Sequence, residues 1–402
     1  MRHGPRCRGM DLAADATPQL AKATEPAAAG AATGGAIRAL DWRELDTPSA
    51  RSAWDAIGRD AAEPNPFHES WYLLPALRAL DPDGTVQLLR FNLDGRMAGI
   101  MPLRRQPRYY RWPLPNLGGW VHANCFLGVP LVATGAEEAF WSALLEWADD
   151  NAGRALFLHL AAMPLNGPMH AALGSVLARH RRPAGVVWRE DRAALVSGDA
   201  TPQSYLESAL SGKKRKELRR QMARLGELGD ARFERLHGAD GLDQWIEDFL
   251  ALERSGWKGA AGSALLSHSA TAALFREAMR EGAERRRIER LSLVLDGRPI
   301  AMLATFLTPP GAFSYKTAFD ERFSRFSPGV LLQRENLQLL EWPDIQWADS
   351  CAAADHPMID HIWRERRPVG RISIGIGGKT RRALFNALLK AETGRTPKGI
   401  AA

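Results

Sequence analysis

Apolar and polar residues alternate in two similar segments of the chain, each interrupted by an Asp-Gly pair. The first, LLRFNLDGRMAGIMPL, covers 88–103, and the second, LSLVLDGRPIAMLATFL, covers 291–307. Apolar runs on both sides of Asp-Gly are typical of a β-hairpin, because both turn residues tolerate a positive φ. The sequence therefore predicts two hairpins, which lie about 200 residues apart.

A weaker similarity follows each hairpin. The segment ALFLHL at 155–160 precedes a helix predicted to open at Pro168, and IQWADS at 345–350 precedes a helix predicted over 357–366. Because both similarities occur in the same order, they favour two related α/β domains in tandem. The alternative is a pair of unrelated domains that each contain an Asp-Gly hairpin.

The second half of the chain has the clearest order of predicted elements. Helical periodicity and strand-like apolar runs alternate there. In chain order, the elements are helices at 241–255 and 269–284, the hairpin at 291–307, a strand at 313–319, a helix at 328–340, a strand at 345–350, a helix at 357–366 and a short strand near 370–376. This order predicts an α/β (α+β) fold in which each domain is a mixed, mostly antiparallel sheet flanked by helices.

Composition sets the expected domain boundaries. Residues 1–36 are rich in Ala, Gly, Thr and Pro, and we expect them to be disordered. An N-terminal domain is predicted over 37–198 and a C-terminal domain over 199–389, divided by the sequence SGDATPQ at 197–203. Residues 390–402 are expected to form a flexible tail.

Cysteine content and hydropathy bear on the location of the protein. Three cysteines in 402 residues give no disulfide framework, which favours a reducing compartment. The basic N terminus lacks the apolar segment of a secretory signal. No stretch reaches the roughly 18 apolar residues that span a bilayer. The expected location is the cytoplasm.

The net charge of +7 is concentrated in one segment, KKRKELRRQMAR at 213–224. Intervals of three and four residues place four cations on one helix face, namely Lys213, Lys216, Arg220 and Arg224. This face is either simply solvated or binds an anionic acceptor, a membrane surface or RNA. The rest of the chain is nearly neutral, and no RRM, KH or zinc-finger signature indicates a dedicated nucleic-acid module.

Several segments of the second half resemble one superfamily of acyltransferases. They are SGKKRKELRRQMARL at 211–225, ERSGWKG at 253–259, LDGRPIAML at 295–303, KTAFDERFSRFSPGVLL at 316–332 and DSCAAADHPMIDHIWRERR at 349–367. Together with the order of elements, these residues resemble the GNAT superfamily of N-acetyltransferases. The resemblance is closer to its CelD-like branch, which is related to the Fem-type aminoacyltransferases with two tandem GNAT-like domains.

The resemblance implies transfer of an acetyl or other acyl group from acetyl-CoA or another acyl-CoA to an amine, by direct attack on the thioester. The acceptor would be a small molecule or a cell-envelope precursor, and no metal would take part. Two alternatives stay open. A Fem-type enzyme would take an aminoacyl group from a tRNA bound by the basic helix, and a catalytically inactive GNAT-like protein would only bind ligands.

The segment 325–331 is the predicted phosphate site. Ser327 suits a helix N-cap and Pro328 the first helical position, whereas Gly329 costs helix stability and suggests a close backbone approach. The amides of Gly329, Val330 and Leu331 would donate to a diphosphate. The superfamily signature Arg/Gln-x-x-Gly-x-Gly/Ala is present only in part. The predicted cofactor-binding residues are Tyr315, Lys316, Arg325, Phe326, Ser327, Gly329, Val330 and Leu331.

The corresponding helix of the first half begins differently. The sequence TGAEEAFW at 134–141 puts Glu137 and Glu138 into its first turn. Carboxylates suit the helix dipole there but repel a phosphate. We therefore expect the cofactor in the C-terminal domain and not in the N-terminal one.

Acyl transfer needs a hydrogen-bond donor for the thioester oxygen and a proton acceptor for the amine. A backbone amide within 314–318 is the expected donor. Asp349, at the end of its strand, is the first candidate base, and its alternative role is a turn cap or an arginine partner. Asp355 and His356 are further candidates, although Asp-His-Pro also suits a helix cap. The predicted substrate-binding residues are Trp257, Lys258 and Asp320.

Two other arrangements are set aside. The spacing of Cys351, His356 and His361 matches no common zinc finger, and histidines five residues apart lie on different helix faces. His122 and Cys125 lack a third group that would orient them for nucleophilic catalysis. Neither a metal site nor a Cys-His nucleophile is expected.

Overall fold

The computed structural model describes residues 35–394 and 399–400, so the segment predicted to be disordered lies almost entirely outside it. The strands are β1 Ala36–Asp41, β2 Val86–Leu93, β3 Arg96–Gln106, β4 Asn116–Gly119, β5 Leu131–Val132, β6 Phe157–Pro164, β7 Ala184–Val196, β8 Ala231–His237, β9 Ile288–Leu295, β10 Arg298–Thr308, β11 Gly311–Phe319, β12 Trp347–Asp349 and β13 Glu365–Gly375. The helices are α1 Pro48–Arg59, α2 Ser70–Leu80, α3 Glu137–Asp150, α4 Pro168–Arg179, α5 Pro202–Ala209, α6 Gly212–Gly226, α7 Leu242–Ser255, α8 Trp257–Ala260, α9 Ser269–Glu284, α10 Pro328–Asn336 and α11 Lys379–Thr393. Short 3-10 helices include Glu321–Phe326 and Leu337–Glu341.

Both predicted hairpins are present, because β2 pairs with β3 and β9 pairs with β10, each antiparallel. The turn residues have positive φ angles of 50° and 75° at Asp94 and Gly95, and of 48° and 76° at Asp296 and Gly297. Two consecutive positive φ angles define the turn that Asp-Gly favours in two-residue hairpins. The local sequence is therefore sufficient to explain both turns.

The thirteen strands form one mixed sheet in the order β1-β2-β3-β4-β6-β13-β7-β12-β11-β10-β9-β8, and β5 pairs with β3 beside this path. Most neighbours are antiparallel, whereas the pairs β4 with β6 and β11 with β12 are parallel. Helices pack on the sheet. The predicted α/β class with a mixed, mostly antiparallel sheet is confirmed.

The strand order contains two similar halves that exchange their last strands. Strands β2, β3, β4 and β6 of the first half correspond to β9, β10, β11 and β12 of the second. If each half completed its own sheet, β7 would pair with β6 and β13 would pair with β12. Instead β13 pairs with β6, β7 pairs with β12, and β7 and β13 pair with each other. The domain boundaries at 37–198 and 199–389 remain predictions, because each range includes one strand that extends the other half's sheet.

Some predicted helices agree with the structure and others do not. Helices α7 and α9 match the predictions at 241–255 and 269–284 closely. Helix α10 ends at Asn336 and continues only as a 3-10 helix. The helix predicted over 357–366 is wrong, since turns occupy 357–362. Strand β13 begins at Glu365, earlier than predicted, so the last two residues of the predicted helix belong to a strand.

The described part of the predicted tail is folded. Helix α11 continues to Thr393, and Ile400 is buried with its carbonyl 3.1 Å from His170 Nε2. Among the described residues, none of the helices has the length and apolar character required to cross a bilayer.

The larger hydrophobic core joins the two halves. Trp71 of α2 meets Phe306 of β10 edge to face, with ring centres 5.0 Å apart. The hydroxyls of Tyr72 and Tyr315 lie 3.1 Å apart. Helix α2 packs on α9 from the other half. Buried aromatic pairs of this kind stabilise a fold beyond the apolar area that they bury, so the halves form one body.

Candidate functional site

A cleft opens where the parallel strands β11 and β12 part. Their pairing ends with Phe313 opposite Asp349, whereas β11 continues to Phe319. A cavity of about 310 Å³ lies at this point, at the lower end of the size range of small-molecule sites. The end of α7, the loop after β12 and the first-half loop at 122–129 complete its walls.

Strand β11 carries a β-bulge at the cleft. On one side of it Ser314 lies opposite Thr305, and on the other side Lys316 lies opposite Ala304, so Tyr315 is the additional residue. Bulges redirect side chains and backbone groups and are common beside active sites. The bulge places both predicted residues, Tyr315 and Lys316, at the wall of the cleft. The Tyr315 ring is nevertheless buried.

Beyond the bulge, the backbone of Thr317 faces the cleft. The amide of Asp320 donates to the Ile300 carbonyl of β10 at 2.8 Å. Because both backbone groups of one residue point to the same side of an antiparallel strand, this pairing directs those of Thr317 away from β10. The Thr317 carbonyl accepts a hydrogen bond from Lys258 Nζ at 3.1 Å. The Thr317 amide is therefore the donor within 314–318 that points into the cleft.

Lys316 brings an ammonium group into the cleft without a carboxylate partner. No carboxylate oxygen of the described residues lies within 4.0 Å of it. Its Nζ lies 5.8 Å and 5.7 Å from the ring centres of Phe126 and Tyr315, where cation–π attraction replaces part of the lost hydration. Burial lowers the pKa of Lys316 to about 8. An anionic group of a ligand would meet this charge.

The other lysine of the cleft is neutralised by a buried carboxylate. Lys258 Nζ lies 3.0 Å from Glu253 Oε1, and Glu253 Oε2 accepts the Leu265 amide at 2.7 Å. Glu253 is therefore fully engaged and is no free base. The pair fixes Lys258 against the Thr317 carbonyl, so Lys316 is the cleft lysine that pairs with no carboxylate of the described residues.

His356 is the candidate base that the structure brings to the cleft. Its Nδ1 is buried and has no hydrogen-bond partner among the described residues. Burial and then the charge of Lys258 lower the pKa of His356, so the imidazole is neutral at pH 7 and can accept a proton. The neighbouring Cys351 is a poor nucleophile, because burial raises the pKa of its thiol well above the usual value.

Trp257 and Glu321 form the mouth of the cleft. Trp257 is 58% exposed, and its amide donates to Glu321 Oε1 at 2.7 Å. Glu321 lines the cavity and pairs with no cation among the described residues. The sequence prediction missed Glu321, although its position just after a strand at the cleft could have indicated it.

One wall of the cleft comes from the first half of the chain. Phe126, in the loop at 122–129, lines the cavity. Two buried side chains hold this loop: Asn65 donates to the Val129 carbonyl at 2.7 Å, and Arg192 donates to the Phe126 carbonyl at 2.5 Å. These partners lie far apart in sequence, so no local pattern could have revealed the contact.

Asp349 does not reach the cleft. It is fully buried, its Oδ1 accepts the Cys351 amide at 2.8 Å, and its Oδ2 lies 3.2 Å from Arg367 Nη1. Arg367 also pairs with Glu63 of the first half at 3.0 Å. The prediction that Asp349 is the base is therefore corrected in favour of its arginine-partner alternative. Asp355 is exposed and does not line the cavity.

The turn before α10 differs from the predicted phosphate site. A Cβ at Gly329 would lie 2.6 Å from Met358 Sδ, so the glycine makes room for a side chain of this protein. The amides of Val330 and Leu331 donate to the Ser327 carbonyl at 2.9 Å and 3.0 Å. Pro328 has no amide hydrogen. Of the three predicted donors, the Gly329 amide is left.

Neighbouring residues of this turn also have structural partners. Asp320 caps the 3-10 helix Glu321–Phe326 and pairs with Arg322 at 2.6 Å, and its hydrogen bonds to Arg322 lower the pKa of Asp320. The predicted substrate role of Asp320 is therefore corrected. Arg325 is exposed, with its guanidinium 4.7 Å from the ring centre of the buried Phe326.

No group of three His, Cys, Asp or Glu side chains within the described ranges could hold a metal ion. His122 stacks on Tyr72 with ring centres 6.1 Å apart, and Cys125 donates to the Leu127 carbonyl at 3.3 Å. Burial lowers the pKa of His122 to about 4 and raises that of Cys125 to about 12. The two side chains thus have core environments.

Residues 212–355 match a family model described as an acetyltransferase (GNAT) domain. The matched segment begins with α6 and ends shortly after β12, so it contains both strands that form the cleft. This part of the chain is therefore similar to GNAT acetyltransferase domains. A search of curated proteins gives no match.

Two solved structures have a similar fold. A conserved protein of unknown function from Bacteroides thetaiotaomicron VPI-5482 has a TM-score of 0.53 and 12% identity, and the similarity covers 85% of this chain and 99% of that chain. FemX has a TM-score of 0.50 and 11% identity, with coverage of 84% and 98%. At these identities the similarity concerns the fold alone.

Proposed function

We propose that the protein transfers an acyl group, acetyl in the simplest case, from an acyl-CoA to an amine bound in the cleft between β11 and β12. The main support is the Thr317 amide, which is held by the part of β11 that continues beyond its last pair with β12. A donor fixed in this way stabilises an oxyanion without reorganisation. We further propose that the enzyme works in the cytoplasm and belongs to the CelD-like branch.

Each residue of the cleft has one role in this proposal. An acyl-CoA supplies a thioester whose carbonyl carbon the amine attacks; the C–N bond forms, the C–S bond breaks, and CoA leaves as its thiolate. The Thr317 amide donates to the oxygen on which negative charge develops. His356 accepts the proton that the amine loses. Lys316 binds an anionic part of the substrate, and Trp257 covers the mouth of the cleft.

The residues at the start of α10 fit a diphosphate only in part. One amide, that of Gly329, has no hydrogen-bond partner among the described residues, and Met358 packs against this glycine. Positive charge is present at the exposed Arg325, whereas the charge of Arg322 is paired with Asp320. We therefore propose that charge, more than a row of amides, would attract the phosphates of CoA.

A second candidate is a Fem-type aminoacyltransferase that uses an aminoacyl-tRNA. The observation that favours it is the incomplete amide set at α10 beside the cationic helix α6, whose Gln221 donates to Ser327 Oγ at 3.2 Å. In both candidates the acceptor is an amine on a small molecule or on a cell-envelope precursor. The cleft chemistry at Thr317 and His356 would be the same.

Two measurements separate these candidates. Acetyl-CoA should raise Tm by several degrees when present at about 100 times its Kd, and unfractionated tRNA should not. Release of free CoA thiol with a panel of amines then tests turnover. A shift with aminoacyl-tRNA alone would favour the second candidate. Binding of acetyl-CoA without thiol release from any amine would favour a catalytically inactive GNAT-like protein.

A further inference from the structure

The cations of α6 stand apart from the other charges of the surface. Six of them are exposed, namely Lys213, Lys214, Lys216, Arg219, Arg220 and Arg224. None forms an ion pair with a carboxylate in the described part of the chain. Arginines of other exposed helices are paired, for example Arg276 with Glu247 at 2.6 Å and Arg280 with Asp243 at 2.8 Å. Unpaired like charges repel one another, so α6 is suited to an external anionic partner.

The helix holds these cations in a fixed array. Leu218 and Leu225 are buried in the second hydrophobic core, which anchors the opposite side of α6. Lys213, Lys216 and Arg220 then follow one another along the outer side at intervals of three and four residues. A helix of 15 residues is about 22 Å long. The basic face of α6, which comprises Lys213, Lys216, Arg219, Arg220 and Arg224, is thus a rigid and extended surface.

The basic face is connected to the mouth of the cleft. Gln221 of α6 donates to the Arg325 carbonyl at 3.4 Å, and Arg325 adds an exposed cation. The other end of the same 3-10 helix is Glu321, which lines the cavity and accepts the Trp257 amide. A partner bound to α6 would therefore lie beside the entrance to the site.

Exposed apolar side chains near this surface indicate what kind of partner it is. Leu228, just after α6, is 47% exposed, and Trp257 is 58% exposed. Cations combined with exposed Trp and Leu are typical of proteins that lie on a membrane interface. Single-stranded nucleic acid would call for aromatic side chains among the cations, and the basic face of α6 has none.

We propose that the basic face of α6 docks the protein on the surface of an anionic lipid bilayer. The contact is electrostatic and peripheral, because the apolar side of α6 is occupied by the protein core. Each basic residue near an anionic leaflet strengthens binding by about fivefold. This docking does not depend on the chemistry proposed for the cleft.

Vesicle sedimentation tests the proposal with the full chain. Vesicles of phosphatidylcholine with about one-third phosphatidylglycerol should bind the protein at about 0.1 M salt and release it at about 0.5 M, because salt screens the contact. Vesicles of phosphatidylcholine alone should not bind it. The variant K213Q/K216Q/R220Q/R224Q should lose binding by about 100-fold or more.

A matched control removes the same charge elsewhere. The variant R38Q/R59Q/R96Q/R154Q replaces four exposed arginines of the first half, away from α6, and should bind nearly as well as the wild type. Should the α6 variant have a lowered Tm, K216Q/R220Q is measured in its place and should lose binding by about 25-fold.

Three results would overturn the proposal. The first is failure of the wild-type protein to sediment with anionic vesicles at low salt. The second is an equal loss in the α6 variant and in the control. The third is binding of unfractionated tRNA, at the same phosphate concentration, that is tighter than binding to vesicles and is abolished in the α6 variant, which would identify α6 as an RNA surface.

Discussion

The two halves of the sheet share a topology but differ where their parallel strands part. In the first half, β4 pairs with β6 up to Gly118 opposite His159 and ends at Gly119. In the second half, β11 runs on to Phe319 after its last pair with β12 at Phe313. The longer strand leaves backbone groups free for a ligand, whereas the shorter one leads into the loop at 122–129.

The helices that follow these strands also differ. Helix α3 begins with Glu137 and Glu138, and Glu138 pairs with Arg179 at 2.5 Å. Helix α10 has no acidic residue in its first turn. The acidic residues of the first half thus stabilise the start of α3, and its loop at 122–129 contributes Phe126 to the cleft wall. The second half contributes the strands between which the cleft opens. Strand length and the charge of one helix start are sufficient to give two similar halves different roles.

The largest expected effect concerns the buried charges that join the halves. Arg367→Met leaves the carboxylates of Glu63 and Asp349 without their cation and should lower the free energy of unfolding by about 3–5 kcal/mol. Arg179→Met removes an exposed pair of the first half and should cost under about 1 kcal/mol. Denaturant unfolding measures both, and equal losses would contradict the importance of the buried pair.

Activity should depend on the histidine of the second half. His356→Ala removes the proposed proton acceptor and should lower kcat/KM by about 100-fold or more, with little change in Tm. His170→Ala is the control in the first half, where His170 contacts the Ile400 carbonyl far from the cleft residues. Thiol release under saturating acetyl-CoA measures both variants, and full activity of His356→Ala would exclude this role.

Two roles of Gly329, packing against Met358 and binding of phosphate, can be distinguished by experiment. Gly329→Ala places a methyl group against Met358 and should destabilise the protein by about 1–3 kcal/mol. In a Met358→Ala background the same change should cost clearly less, because the space is then available. A phosphate role would instead appear as weaker acetyl-CoA binding at unchanged stability.

Lys316 should destabilise the fold in a pH-dependent way. Its pKa falls from 10.5 to about 8 on folding, so between these values the unfolded chain binds more protons and stability rises with pH. Lys316→Met should therefore stabilise the protein at pH 7 by up to about 3 kcal/mol, and the gain should vanish above about pH 10.5. Lys258→Met breaks a buried pair and should have the opposite sign at pH 7.

The smallest effect is expected at the start of α3. The double change Glu137→Gln and Glu138→Gln removes favourable charges from a helix N terminus and should cost about 0.3–1 kcal/mol each. Thiol release should not change, because this half contributes no reacting group in our proposal. A large loss of activity would mean that the first half binds the cofactor as well.

Local sequence was sufficient to predict the elements that local physics determines. The Asp-Gly turns at 94 and 296 have the positive φ angles expected of them, and α7 and α9 follow their apolar periodicity. The predicted helix at 357–366 failed because turns occupy 357–362 and the strand ERRPVGRISIG takes the last two residues into the sheet. The conformation of this segment depends on the pairing of β13 with β6 and β7, which are distant in sequence.

The candidate site was predicted only in part, because its geometry depends on distant contacts. Lys316, Trp257, Lys258 and His356 were found from the sequence, and all line the cleft. Asp349 was misassigned because it pairs with Arg367, and this arginine also pairs with Glu63 of the first half. Sequence position alone cannot reveal these ion pairs, nor can it reveal that the loop at 122–129 forms a wall of the cleft.

The exchange of β7 and β13 has a consequence for how the protein is made. The first half cannot finish its own sheet until β13 has left the ribosome, long after β6 has been made. Until then the edge of β6 stays open to other strands, a situation that invites mispairing. A fragment cut after Val196 would keep β7 but lack its neighbour, so separate expression of either half should give aggregated protein, and only co-expression should restore a soluble pair.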